Sequence, residues 1–166
     1  MPAILPGRYR ITNVLSKLPV TLQSAKPVNG TFINQNISVT LDKDDTQVWD
    51  LRSLSNGEWR IVNAKAGIFA TAINNLQQTE DPSTNLLARI FSRPALEADD
   101  RFSKWTIEKY ENGESFVIRS TAYPGKVWDD NNRGTEDGTA ILVWTPNGGG
   151  GDLLPGPHQR WTFTPV

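Results

Sequence analysis

The chain has 166 residues, a length that suits one domain with one hydrophobic core. Its formal net charge is −1, so it has no basic surplus to neutralise nucleic-acid phosphates or anionic lipids, and neither class of partner is expected. It contains no cysteine, which excludes disulfides and thiolate metal sites.

The apolar segments of the chain and its cysteine content predict its cellular location. The first eight residues lack the charged stretch and the apolar stretch that together form a signal peptide. No apolar run approaches the ~20 residues that a membrane-spanning helix needs. With the absence of cysteine, these features predict a soluble, cytoplasmic protein with no membrane insertion.

The dominant feature is an internal repeat. Trp49, Trp105 and Trp161 recur at a constant spacing of 56 residues. Glutamine stands two residues before the first and the last of them, and serine before the middle one. A fixed period predicts a fold built from repeated units. The repeats predicted within a single domain are residues 1–56, 57–112 and 113–166.

Each repeat begins with an aromatic residue two positions before an isoleucine, the period-two pattern of a half-buried strand. These pairs are Tyr9 and Ile11, Trp59 and Ile61, and Phe116 and Ile118. Further short strands are predicted at residues 38–41, 67–71, 86–91 and 140–144. Loops are predicted at residues 26–36, 77–85, 93–101 and 145–158.

Two Asn-Gly pairs separate the repeats. Asn56-Gly57 and Asn112-Gly113 each lie between alternating runs, and both residues of each pair are predicted to take positive φ in a tight hairpin turn. Short strands at regular spacing, with turn signals and no convincing helix, predict an all-β fold. Three repeats of about four strands favour a β-trefoil of twelve short strands, six closing a barrel and six capping it.

The Gln-x-Trp motif is that of the ricin-B-type β-trefoil family, which this sequence resembles. The segment from Leu5 to Val14 is similar to the start of mushroom members of that family. The resemblance implies a core position for the three motif tryptophans and a fungal carbohydrate-binding protein, a lectin, whose partners are glycans or glycoproteins.

The resemblance also implies one sugar site, in the third repeat. Asp129 would be the anchoring carboxylate, Trp144 the stacking platform and Asn147 a second polar contact, with Gln159 of the motif completing the set. A carboxylate is a strong acceptor for paired hydroxyls, and an indole buries a large area at low entropic cost. The other repeats lack this pattern. Since one shallow site binds weakly, a homodimer is a reasonable expectation.

A β-trefoil protease inhibitor is the alternative prediction, because mushroom inhibitors of cysteine and serine proteases share this fold. A surface loop would then block the protease cleft. Lys26, Asn29 and Arg93 lie in the candidate loops, and the insertion at residues 148–158 is a third.

Enzymatic and metal-dependent functions lack a recognisable motif. The segment 129–134 weakly resembles a calcium loop, but Arg133 takes a ligand position and Ala140 stands where the closing Glu would be. His158 is the only histidine and has no nucleophile at a recognisable spacing. We therefore expect no enzyme, no cofactor and no metal. Whether Trp128 and Trp144 face the core or the solvent stays open.

Overall fold

The computed structural model describes residues 4–22, 35–39, 45–74, 88–94, 101–111, 113–148 and 154–166. Short strands dominate this part of the chain, and none of its helices is long and apolar enough to cross a membrane. The strands are β1 (Gly7–Asn13), β2 (Val20–Leu22), β3 (Gln35–Val39), β4 (Val48–Ser53), β5 (Trp59–Asn63), β6 (Ile68–Asn74), β7 (Ala88–Pro94), β8 (Trp105–Lys109), β9 (Phe116–Ser120), β10 (Val127–Asp130), β11 (Thr139–Trp144) and β12 (Trp161–Pro165). Four three-residue 3₁₀ turns join them, at Asp45–Gln47, Arg101–Ser103, Asn131–Arg133 and Pro157–Gln159.

Six strands close into a barrel. Strand β1 pairs with β4, β4 with β5, β5 with β8, β8 with β9, β9 with β12, and β12 returns to β1, all antiparallel. Each repeat contributes two neighbouring strands to this ring. Because the ring is complete, the barrel has no exposed edge strand.

The other six strands form a cap of three hairpins. Strand β2 pairs with β3, β6 with β7, and β10 with β11. The second strands of the hairpins also pair with one another, since β3 contacts β7 and β11, and β11 contacts β7. A six-stranded barrel under a threefold hairpin cap confirms the predicted β-trefoil.

The three motif tryptophans join the barrel to the cap. Each is fully buried, and each indole N–H donates to a backbone carbonyl of the cap hairpin in its own repeat. The distances are 2.9 Å from Trp49 to Val20 O, 3.0 Å from Trp105 to Ala70 O, and 3.4 Å from Trp161 to Trp128 O. The core position predicted for these tryptophans is confirmed.

Trp128 is a fourth tryptophan of the core. It is fully buried, and its ring lies edge-to-face between Trp105 and Trp161, at centroid distances of 5.4 and 5.8 Å. Such pairs contribute about 0.5–1.5 kcal/mol each beyond their buried area. The question that the sequence left open for Trp128 is thereby answered: it is a core residue.

Asparagine side chains tie successive repeats together. The Asn13 amide donates to His158 O at 2.9 Å, which joins the first repeat to the third, and the Asn63 amide donates to Thr46 O at 2.7 Å, which joins the second to the first. Both asparagine oxygens also accept backbone N–H groups of the following turn. Ser120 occupies the corresponding position in the third repeat, and its hydroxyl accepts the backbone N–H of the third residue that follows.

Two local predictions were wrong. At the first Asn-Gly pair only Gly57 has positive φ, at 81°; at the second pair Gly113 does not have positive φ, and Asn112 lies outside the described residues. The Gly57 N–H donates to Leu54 O, and Glu58 O accepts from Leu54 N, so the hairpin closes through a three-residue turn with glycine at its end. Arg93 lies in strand β7, paired with Phe69, and not in a loop. Proline is tolerated at the end of this strand, where its missing N–H is least costly.

We predict that the indole hydrogen bonds stabilise the trefoil unequally. Trp105→Phe and Trp161→Phe remove similar volume, and both rings contact Trp128. The bond that Trp105 makes is 3.0 Å long and that of Trp161 is 3.4 Å, so Trp105→Phe should lower the free energy of unfolding by about 1 kcal/mol more. Urea denaturation measures this difference, and equal losses would contradict it.

Candidate functional site

The site is built on the outer face of the β10–β11 hairpin. Asp129 pairs with Leu142, and Trp144 lies two residues further along β11, so these three side chains project from the same face. Trp128 and Val143 alternate with them and fill the core. The alternation of a two-stranded ribbon therefore places the carboxylate and the indole side by side.

A cavity of about 390 Å³ opens on this face. Asp129 is buried at the cavity, with 3% of its surface exposed, whereas Trp144 is half-buried and Asn147 is exposed. Three of the four residues predicted for the sugar site thus meet in one place, and Trp144 faces the cavity. The lining residues are Asp129, Asn131, Arg133, Leu142, Trp144, Asn147 and His158.

Gln159, the fourth predicted residue, holds this arrangement from behind. It is fully buried, and its amide donates to Asp129 Oδ2 at 2.6 Å and to Thr145 O at 2.9 Å. Its oxygen accepts the N–H groups of Asn147 at 2.7 Å and Gly156 at 3.2 Å. Gln159 therefore fixes the position of Asp129 and of the turn at Asn147, and it does not line the cavity.

The equivalent positions of the other repeats carry no carboxylate. Thr21 and Thr71 follow the carbonyls that accept the indole bonds, as Asp129 does in the third repeat. Each threonine hydroxyl donates to the carbonyl two residues earlier, and Gln47 donates to Thr21 at 3.2 Å. These repeats keep the framework of the site without its anionic acceptor.

His158 is a cavity residue that the sequence did not indicate. Its Nε2 lies 3.6 Å from Asp129 Oδ2, and its ring packs so closely on Gly156 that a Cβ there would lie 2.8 Å from Nδ1. Burial, and then the charges of Arg133 and Arg160, lower the pKa of His158 to about 4. The imidazole is therefore neutral near pH 7. The only sequence signal for a place of His158 at the site is its neighbour Gln159, which belongs to the Gln-x-Trp motif.

Asp130 is a second buried acid beside the site. Burial is the main cause that raises its pKa to about 7, the charge of Asp129 adds to the effect, and the Ser16 hydroxyl opposes it. Asp130 ends β10 and precedes the 3₁₀ turn that carries Asn131 and Arg133. Asp130 is therefore flanked in sequence by Asp129 and Asn131, which both line the cavity.

Of the residues predicted for the alternative function, only Arg93 and part of the insertion at residues 148–158 lie in the described ranges, and His158 of that insertion lines the cavity. Lys26 and Asn29 lie outside the described residues, and Arg93 belongs to strand β7. In the described part of the chain, no cluster of three or more His, Asp or Glu residues is placed to hold a metal ion.

Comparison with known proteins identifies the family. Residues 4–88, just over half of the chain, match the model of the family described as ricin-type beta-trefoil lectin domain-like. No curated protein sequence matches the chain.

Solved structures share the fold along the whole chain. The Rhizoctonia solani agglutinin has 16% identity and a TM-score of 0.75, and the alignment covers 100% of this chain and 99% of that one. The Macrolepiota procera ricin B-like lectin in complex with lactose has 19% identity and a TM-score of 0.68, with 100% of both chains covered. A proteinase inhibitor from Coprinopsis cinerea has 15% identity and a TM-score of 0.70, with 99% and 100% covered. At these identities the likeness establishes the fold alone.

We predict that the two shifted groups impose opposite pH dependences on stability. Between about pH 4 and 7 the folded state keeps a proton on Asp130 that the unfolded chain releases, so this group makes stability fall as pH rises. From about pH 4 to 6.5 the unfolded chain binds a proton on His158 that the folded state does not, so this group makes stability rise.

Single variants separate the two effects. Relative to the unmodified protein, Asp130→Asn should gain stability as pH rises from about 4 to 7, and His158→Gln should lose stability from about 4 to 6.5. Urea denaturation at intervals across this range measures both trends. Difference curves that do not change with pH would contradict the assignments.

Proposed function

The chain belongs to the ricin-type β-trefoil lectin domain-like family, and from this premise we propose that it is a non-enzymatic lectin that binds a glycan in the Asp129 cavity. The observation that carries the proposal is the meeting of Asp129, Trp144 and Asn147 around one opening. Each of them supplies a different part of what a sugar requires.

The three residues divide the work of sugar recognition. The Asp129 carboxylate accepts hydrogen bonds from a pair of sugar hydroxyls, and charge-assisted bonds of this kind are stronger than neutral ones. The half-buried indole of Trp144 covers the apolar face of the sugar ring. Asn147 lies exposed at the rim, where its amide reaches a further hydroxyl.

The acceptor is held in place before the sugar arrives. Gln159 donates to Asp129 at 2.6 Å and also accepts the Asn147 N–H, so the anchor and the rim are connected through one buried side chain. Preorganisation of this kind lowers the entropic cost of binding. A single site that is open to water still binds with modest affinity, and pairing of two chains would raise the avidity.

Protease inhibition is not favoured by any described residue. Two of its candidate residues, Lys26 and Asn29, lie outside the described ranges, and the third, Arg93, lies in a strand. The shared fold with an inhibitor does not distinguish the two functions.

A glycan-array screen tests the proposal. The unmodified protein should bind a defined subset of glycans, and Asp129→Asn, which removes the charge and keeps the shape, should weaken binding at least about tenfold. Asp50→Asn is the matched control, because Asp50 lies on barrel strand β4 and pairs only with exposed Arg52 at 3.1 Å among the described residues. Its glycan profile should be unchanged.

The screen has two contrary outcomes. Binding that survives Asp129→Asn would place the sugar elsewhere on the trefoil. A folded protein that binds no glycan would overturn the proposal, and inhibition assays on cysteine and serine proteases would follow.

We predict a positioning role for Gln159. Gln159→Ala removes the donor to Asp129, so the dissociation constant for the glycan should rise while weak binding remains. Gln47→Ala is the matched control, since Gln47 makes the equivalent bond to Thr21 in the first repeat. Both variants should melt at lower temperature, but only Gln159→Ala should change the affinity measured by titration calorimetry. Equal affinities in the two variants would contradict this role.

A further inference from the structure

Arg133 places a cation in the wall of the Asp129 cavity. It ends the 3₁₀ turn Asn131–Arg133 that follows β10, and its side chain lines the cavity while remaining exposed. Its charge contributes to the lowered pKa of His158, which lies at the same cavity, so the guanidinium acts electrostatically on this space. The cavity therefore offers both an anionic acceptor, Asp129, and a cationic donor.

With respect to the described part of the chain, the Arg133 guanidinium has its donors available. Among the described residues, Arg133 forms neither a hydrogen bond nor an ion pair, although Glu136 follows three positions later. A planar guanidinium presents paired N–H groups that match a carboxylate or a sulfate in a bidentate geometry. Arg133 is thus suited to an oxyanion supplied from outside.

The backbone at this position is held in a costly conformation. Arg133 has φ of 62°, in the left-handed region that favours glycine or asparagine. The next residue, Gly134, is confined, because a Cβ there would lie 2.6 Å from Thr139 Cγ2. A long cationic side chain therefore occupies a position where glycine or asparagine would be less strained.

We propose that the cavity selects glycans that carry an acidic group, a carboxylate or a sulfate, and that Arg133 is the specificity-determining residue that binds this group. The inference rests on the proposed sugar site and names its ligand class. Asp129 would hold the hydroxyls, Trp144 the ring face, and Arg133 the acid.

The preference for acidic glycans has to come from a direct contact with Arg133 and not from the overall charge of the protein. The net charge of the chain is −1, so the protein as a whole does not attract anions. Asp129 at the cavity, with Glu136 and Asp137 on the following turn, would repel an acid that is placed without a direct partner. Loss of the guanidinium should therefore abolish the preference, whereas loss of a distant charge should leave it intact.

Matched pairs of neutral and acidic ligands provide the test. Lactose is compared with its sialylated and 3′-sulfated forms, and methyl β-glucoside with methyl β-glucuronide, by titration calorimetry. The unmodified protein should bind at least one acidic member about tenfold more tightly than its neutral partner. A preference for sialylated lactose or the glucuronide indicates a site for a carboxylate, and a preference for 3′-sulfated lactose indicates a site for a sulfate.

Variants of Arg133 then assign the effect. Arg133→Gln should reduce the acidic preference to within about twofold, and Arg133→Lys should retain part of the preference. Arg10→Gln is the control, because Arg10 is an exposed residue of barrel strand β1 and the substitution changes the net charge equally. It should retain the full preference.

A stability measurement excludes unfolding as the cause. Arg133→Gly relieves the left-handed strain, so its melting temperature should equal or exceed that of the unmodified protein while the acidic preference is lost. Equal binding of neutral and acidic ligands, or a preference that survives Arg133→Gln, would overturn this inference and leave the sugar site standing. A folded protein that binds none of these ligands and no glycan of the array would overturn both.

Discussion

The hydrogen bond from each motif indole to a hairpin carbonyl connects the two layers of the trefoil. A tryptophan of the barrel crosses the core and donates to the cap, so the rotation of each hairpin on the barrel is fixed from within. The residue after each accepting carbonyl then has a defined, buried place in the cap. That place is Asp129 in the third repeat, and the whole candidate site follows from it.

The site is a local departure from threefold symmetry. The hydroxyls of Thr21 and Thr71 donate to carbonyls two residues earlier, whereas Asp129 brings a charge that its surroundings must accommodate. Gln159 supplies a donor at 2.6 Å, and His158 remains neutral against the carboxylate. A buried charge is tolerated only where such partners surround it, and for this reason the change in one residue of the repeat involves several of its neighbours.

Much of the fold could be predicted because its main signal is periodic. The spacing of the tryptophans determines three equal units, and the alternation in each unit determines strands. Asp129, Trp144 and Asn147, to which the family resemblance assigned one sugar site, line one opening, and their role in binding stays a proposal. In the sequence, Arg133 stands in a segment that weakly resembles a calcium loop and His158 is the only histidine, and their place at the cavity depends on tertiary packing that no local pattern records. The same limit applies to the Asn56-Gly57 pair. The dipeptide predicts a tight turn, but it does not predict which of its two residues takes positive φ.

The turn that carries His158 and Gln159 is held by Asn13, which lies 145 residues earlier in the chain. The carboxylate anchor is therefore completed by contacts of very high sequence separation, and folds dominated by such contacts assemble slowly. During synthesis the first repeat emerges long before the partner that it must bind. We therefore expect the candidate site to be completed late in folding, only after Asn13 and His158 have met.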